Sequence, residues 1–315
     1  VGGLTRLTDS GLSITRWDLI SGILPPLTLM QWENTFNLYK KIPEYQLLNS
    51  SMTLDQFKII FWWEYVHRLL GRIIGLFYIL PLIFFTINRN LKKKNLLNYY
   101  FIFILICFQG FMGWYMVKSG LTERTDVSHY RLSMHLTLAF IIFILLFWNF
   151  LVIKYNKKFN NFHKLPNLFL KIFLFLILLQ ISVGALVSGL DAGKIYQTWP
   201  LMNQNYFPDD INLTDFFTLN ALEHPSIVQF IHRNLAYFIF LYFIFIFIFI
   251  FRNTNYQYLR ITLLFLSLGI FLQIFLGILT VLSGAHIILA SLHQVGSIYL
   301  VIISLFLVFK NSKIN

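Results

Sequence analysis

Apolar runs of eighteen residues or more recur along the whole of this 315-residue chain, and runs of that length are the signature of helices that cross a membrane. They fall at 58–87, 98–118, 133–153, 166–189, 227–251, 259–283 and 286–309. Each is long enough to span ~30 Å of hydrocarbon as a helix. Lipid offers backbone N–H and C=O groups no partners, so runs this long must be helical. A cleavable signal would give one short run and so does not account for this pattern. Charged residues make up only 12% of the chain, against about a quarter in soluble domains. The expected fold class is an all-α integral membrane protein with seven visible spans.

The net charge of +12 invites a nucleic-acid reading, but its distribution argues for topology instead. Arg89, Lys92, Lys93 and Lys94 follow the first span; Lys154, Lys157, Lys158 and Lys164 follow the third. Arg252 and Arg260 follow the fifth, and Lys310 and Lys313 lie in the tail. None of these segments holds an Asp or Glu, and every acidic residue except Glu64 lies in 1–57, 119–132 or 190–226. The positive-inside rule puts the basic loops on the cytoplasmic or matrix side. The single cysteine, Cys107, permits neither an internal disulfide nor a cysteine metal cluster.

An internal repeat is visible. Gln109, Gly113 and Ser119-Gly120 recur in the same order and at the same spacing as Gln273, Gly277 and Ser283-Gly284. His67-Arg68 recurs as His232-Arg233, displaced along the chain by almost the same amount. Val1-Gly2-Gly3-Leu4 resembles Val183-Gly184-Ala185-Leu186, which closes the fourth span. The pattern predicts two pseudo-symmetric four-helix bundles, divided as 1–154 and 155–315, with the first helix of the first bundle largely missing from this chain. The chain opens on Val1 rather than Met, as expected of a fragment or a processed form.

Four of the eight histidines sit within spans: His67, His135, His232 and His293. Each is expected in the first two turns of a helix entered from the outer side, at similar depth. Polar residues inside a bilayer are costly and tend to face the bundle interior for a reason. A haem iron takes two axial imidazoles, which a four-helix bundle can supply from two helices. The repeat pairs His67 with His135 and His232 with His293. A single such histidine is more often a packing residue; four at matched depth, two per repeat, favour iron ligation. His129, His224 and His286 fall at outer loop ends and are expected to be solvated, and His163 sits in a basic inner loop.

Glu64 is the lone acid within a span, three residues before His67 and four before Arg68. It can pair with Arg68 along the helix or serve the haem face as an acid–base group. Gln229 takes its place in the second repeat, which predicts different tasks for the two sites. Arg68, Arg72, Arg131 and Arg233 lie near outer span ends, suited to haem propionates or to lipid headgroups. Gly71-x-x-x-Gly75 and the Gln-x-x-x-Gly sets are expected to bring helices close, and Gln109, Gln180 and Gln273 to bond between helices. The outer segments 5–57 and 190–226 are expected to form short interfacial helices over the bundles.

The stretches 2–13 (GGLTRLTDSGLS), 64–72 (EYVHRLLGR), 130–136 (YRLSMHL) and 229–233 (QFIHR) resemble the haem A synthase family, in its mitochondrial and alphaproteobacterial branch. The likeness covers essentially the whole chain. It implies oxidation of a methyl group of haem O to a formyl group through an alcohol and a gem-diol, giving haem A for cytochrome oxidase. It further implies Glu64, His67 and His135 at the substrate haem O in the N-terminal bundle, with Glu64 as catalytic carboxylate. His232 and His293 would hold a resident haem b in the C-terminal bundle, with Arg68, Arg131 and Arg233 assisting cofactor binding. Partners it implies are membrane lipid, haem O, haem O synthase, an electron donor such as a ferredoxin, and a second copy of the chain; nucleic acid is not among them. The expected location is the bacterial plasma membrane or the mitochondrial inner membrane, with the haem sites toward the periplasm or intermembrane space. Some family members carry a cysteine pair in the first outer loop; this chain has none there.

Two other classes compete. A di-haem electron-transfer cytochrome needs haems stacked at two depths, whereas these four histidines share one. A transporter built of repeats places its polar site at broken helices near the midplane, and Pro81 is the main break visible here.

Overall fold

The computed structural model describes residues 1–18, 21–89, 92–122, 124–155, 165–218 and 220–312, with the side chains of Ser21 and Lys94 left undescribed. His163, Lys157, Lys158, Lys164 and Lys313 lie outside the described residues. Among the described residues ten α-helices follow one another: α1 (Gly2–Leu7), α2 (Leu29–Tyr39), α3 (Pro43–Leu47), α4 (Leu54–Ile87), α5 (Lys93–Gly120), α6 (His129–Tyr155), α7 (Asn167–Gly189), α8 (Pro225–Arg252), α9 (Gln257–Leu282) and α10 (Ile287–Asn311). Among the described residues there is no β-strand. The seven helices α4 to α10 are each long and apolar enough to cross a membrane. Their outward faces are apolar too: Phe77 is 77% exposed on α4 and Leu241 65% on α8. Such stripes are liabilities in water and the natural lipid-facing surface of a membrane protein.

α4 departs most from expectation, beginning at Leu54. Thr53 caps it, and Gln56 returns the bond to the Thr53 N–H at 2.8 Å, a capping box. Its first turns bury aromatic side chains against α2. Phe57 stacks on Phe36 of α2 with ring centres 5.0 Å apart, and Phe61 meets Trp32 edge-on at 4.9 Å. Phe57 is fully buried, and burying such a side chain contributes about 1.5–3 kcal/mol. His67 therefore lies past the third turn of a helix that opens at Leu54, not in its first two turns. The outer segment does form short helices, α2 and α3, with α2 packed on α4.

The chain divides into two compact units, Val1–Leu138 and Ala139–Asn315, the border falling inside α6. In the first, α1, α2 and α5 all pack on α4. In the second, α7 packs on α8 and α10, and α9 on α8 and α10, closing a four-helix arrangement. Buried Asn311 fastens its inner end, donating to the Leu165 carbonyl (2.8 Å) and accepting from the Leu165 N–H (3.1 Å) and the Tyr258 hydroxyl (2.8 Å). The repeat extends to backbone conformation. Asp9 and Asp191, which follow Val1 and Val183 at the same distance along the chain, both adopt left-handed φ (47° and 50°) just past a helix end. Gly71 and Gly75 have no atom within 4 Å of where a Cβ would sit, so that pair does not bring helices together among the described residues.

Candidate functional site

Each unit brings together one pair of histidines. The rings of His67 (α4) and His135 (α6) lie with centres 6.5 Å apart and planes at 80°. Those of His232 (α8) and His293 (α10) lie 6.4 Å apart at 78°. An imidazole nitrogen bonds a transition metal at about 2 Å and its ring centre lies roughly 1.1 Å further out, so two imidazoles on opposite faces of one iron stand about 6.2 Å apart. Both pairs fit that spacing. His232 and His293 each keep a buried Nδ1 with no hydrogen-bond partner. Among the described residues no three His, Cys, Asp or Glu side chains form a metal cage. A porphyrin brings four nitrogens of its own and needs only two imidazoles, so the donor set suits a haem.

The ring edges are seated against glycine. A Cβ on Gly2, Gly113, Gly184 or Gly277 would fall 2.7, 3.2, 3.0 or 3.0 Å from the Cε1 of His67, His135, His232 or His293, in that order. Three glutamines bond between helices. The amides of Gln109, Gln180 and Gln273 donate to the backbone carbonyls of His135, His232 and His293 at 3.0, 3.0 and 2.6 Å.

Glu64 is buried and accepts four hydrogen bonds. Arg68 Nε and Nη2 donate to one oxygen (3.0 and 2.6 Å), and the Ser13 hydroxyl and Ile14 N–H to the other (2.7 and 2.8 Å). Arg68 also donates to the Ile14 and Arg16 carbonyls and lies over the Trp17 ring at 4.7 Å. Glu64 and Arg68 thus form an ion pair that clasps residues 13–17 onto α4. The second unit repeats the clasp without the acid. Gln229 donates to the Tyr196 carbonyl (3.0 Å), and Arg233 donates to the carbonyls of Tyr196 (2.8 Å) and Thr198 (2.9 Å). Arg233 Nε is buried without a partner. Arg131 donates to the Tyr115 carbonyl at 2.7 Å and packs on that ring; Arg72 donates to the Asp18 carbonyl at 2.9 Å. A cleft of about 220 Å³ in the first unit is lined by Arg16, Arg68, Lys118, Trp17 and Trp114 among others. Arg68 adjoins His67 in sequence, and Trp114 adjoins the glycine that seats His135.

His224 and His286 are exposed as expected. His129 is not: it is fully buried at the start of α6, its ring 4.1 Å from that of Tyr130. A polar residue at a loop end reads as solvated, but this loop is tied to the end of α5, where the Ser128 N–H donates to the Ser119 hydroxyl at 2.9 Å and Val127 joins a buried cluster with Leu12 and Val117. The outer segments hold further polar groups that the sequence reading passed over. The Tyr196 hydroxyl donates to Asp209 (2.5 Å) and Asp210 (2.7 Å), and Ser226 donates to Asp210. Burial and these two carboxylates push the Tyr196 phenol up, while the Tyr196 hydroxyl bond holds Asp209 below the usual carboxylate range. In the first unit, burial lifts the Glu44 carboxyl to about 8, helped by the nearby charges of Asp9 and Glu64. The matching order of Asp9, Gly11 and Trp17 with Asp191, Gly193 and Trp199 is the signal that marks both clasped segments.

The fold and the two imidazole clamps define a class: a polytopic helical membrane protein able to sandwich one haem in each of two related units. The whole-chain comparisons agree. Residues 1–305 match the COX15-CtaA family model, described as cytochrome oxidase assembly protein, and the chain belongs to that family. It is 54% identical to the Heme A synthase of Pelagibacter ubique over 99% of this chain and 92% of that protein. It is 43% identical to that of Rickettsia felis (99% and 94%) and 42% identical to that of Rickettsia conorii (95% and 89%). No solved structure matches.

Proposed function

We propose that this chain is an oxidoreductase that converts the methyl group of haem O to the formyl group of haem A, for use in cytochrome oxidase. The observation that carries this reading is one imidazole pair at haem spacing in each of two units, in a chain that matches Heme A synthases along nearly its whole length. With an electron donor and dioxygen as co-substrates, the two successive hydroxylations take up two O2, four electrons and four protons per haem O and give the formyl group and three waters, so the site needs a path for electrons and for protons.

His67 and His135 are the residues to hold the substrate haem O, in the first unit. Glu64 is the acid there, one turn from His67 on the same helix. Held by four donors, it is suited to receive a proton or to offset positive charge at the reacting carbon. Its clasp on residues 13–17 also shields that side of the site from bulk water. Arg16, Arg68 and Lys118 give the adjoining cleft the charge to receive propionate carboxylates, and Arg131 closes the α5–α6 side. In the second unit His232 and His293 are the residues to hold haem b, with Arg233 Nε as a free donor for its propionate. When bound, haem b supplies one-electron chemistry that links an outside donor, such as a ferredoxin, to the substrate site. Gln229 carries no ionisable group, consistent with electron transfer alone. The division of labour follows the two units, N-terminal for substrate and C-terminal for the resident haem. The charge asymmetry of the loops supports both sites lying toward the periplasm or intermembrane space.

The test is expression with haem O synthase in a host that makes no haem A, followed by pigment extraction and chromatography. Haem A in the extract is the expected result; haem O alone, beside folded protein, would overturn the reading.

A further inference from the structure

Three of the four iron-facing histidines share one device. On α5, α7 and α9 a glutamine and, four residues on, a glycine face the histidine of the next helix. The glutamine amide donates to the histidine backbone carbonyl at 3.0, 3.0 and 2.6 Å, the amides of Gln109 and Gln180 also lie 3.2 and 3.3 Å from an imidazole nitrogen of His135 and His232, and the glycine leaves room for the ring Cε1. All three glutamines are half satisfied in the same way: Oε1 of Gln109, Gln180 and Gln273 is buried with no partner. A buried amide oxygen without a partner carries a cost, and three equivalent ones mark a geometry held for a purpose other than local stability. A carbonyl inside a helix already serves the N–H four residues on, so the extra bond is not needed to satisfy the backbone.

We propose that Gln109, Gln180 and Gln273 are positioning residues, each fixing the height and rotation of its ligand histidine through the histidine carbonyl, with the paired glycine as backstop. This rests on the haem reading above and goes beyond it: it concerns residues that touch neither iron nor substrate. The backbone bond sets where along the neighbouring helix the imidazole stands; the glycine contact sets how far the ring swings. Together they hold the ligand in a narrow range of orientation, as supporting shells do for metal-bound histidines generally.

The experiment uses the full chain purified with its haems. Gln109→Met, Gln180→Met and Gln273→Met keep the side-chain size and remove the donor. Readouts are the low-spin ferric EPR signals of the two haems, haem content, and the rate of haem transfer to an apo-globin trap. Gln180→Met and Gln273→Met are expected to shift the signal of the second unit's haem and speed its loss about five- to tenfold, the worth of one hydrogen bond. Gln109→Met is expected to do the same to the first unit's haem alone. Where a methionine variant fails to fold, Gly277→Ala serves: it favours the helix yet presses the His293 ring, and must move the same signal. Unchanged signals and transfer rates in these variants would overturn the proposal while leaving the function intact. Wild-type protein without bis-imidazole haem signals would sink the functional reading itself, and this one with it.

Discussion

Glu64→Gln is the most informative substitution, because it separates the ion pair that Glu64 makes with Arg68 from the catalytic role proposed for its carboxylate. The amide keeps the shape of the carboxylate but turns one acceptor into a donor. Facing Arg68, it would meet Nε and Nη2 donor to donor; facing the strap, it would meet the Ile14 N–H. The Arg68 and Glu64 side chains are only 8% and 3% exposed, so screening by water is small. Breaking a buried pair by removing one partner costs about 3–5 kcal/mol. Arg68 keeps the Ile14 and Arg16 carbonyls and the Trp17 ring, which places the cost at the low end, about 3 kcal/mol. Thermal unfolding in detergent should register this loss, and haem A formation should stop while the second unit keeps its haem. Glu64→Gln combined with Arg68→Gln removes the orphaned charge and should regain most of the stability but none of the activity. Recovery of haem A formation in the double variant would refute a catalytic carboxylate and leave Glu64 as a counter-ion.

Glu44 supplies a pH prediction. Its carboxyl titrates near 8 when folded, above the ordinary value of 4.5. Between those values the folded state holds the proton and the unfolded chain has lost it, so stability falls as pH rises, by about 1.4 kcal/mol per unit at most. Glu44→Gln should flatten the melting temperature across this window and raise it at neutral pH; an unchanged profile would exclude Glu44 as its source. Tyr196→Phe removes the donor shared by Asp209 and Asp210 and is expected to cost about 1–3 kcal/mol in thermal unfolding, without altering haem content. Gly184→Val would press a branched side chain onto the His232 ring and should deplete haem from the second unit only, read as a halved haem-to-protein ratio.

The spans were legible because lipid forces a coarse rule: a long unbroken apolar run must be helical. The histidine pairing was legible because the chain contains itself twice, and one nearly constant offset identifies partners without coordinates. Other features were not. The start of α4 at Leu54 escapes a hydropathy reading because Phe57 and Phe61 are apolar for the sake of α2, not of lipid. His129 is buried beside a loop that is tied to α5 and to Leu12, contacts distant in the chain that no local pattern encodes. The arginines looked available for carboxylates, yet Arg68, Arg131 and Arg233 all donate to backbone carbonyls as well, acceptors plentiful where a chain turns back without regular structure. Gly71 and Gly75 fit a close-packing motif by spacing alone, and spacing does not say which way a helix face points.

α4 runs from Leu54 to Ile87 as one piece, carrying first the aromatic side chains that pack on α2 and then Glu64 and His67. Because the helix carries both features, a small tilt of α4 would shift His67 relative to His135 on α6 and so loosen or tighten the grip proposed for a porphyrin between them.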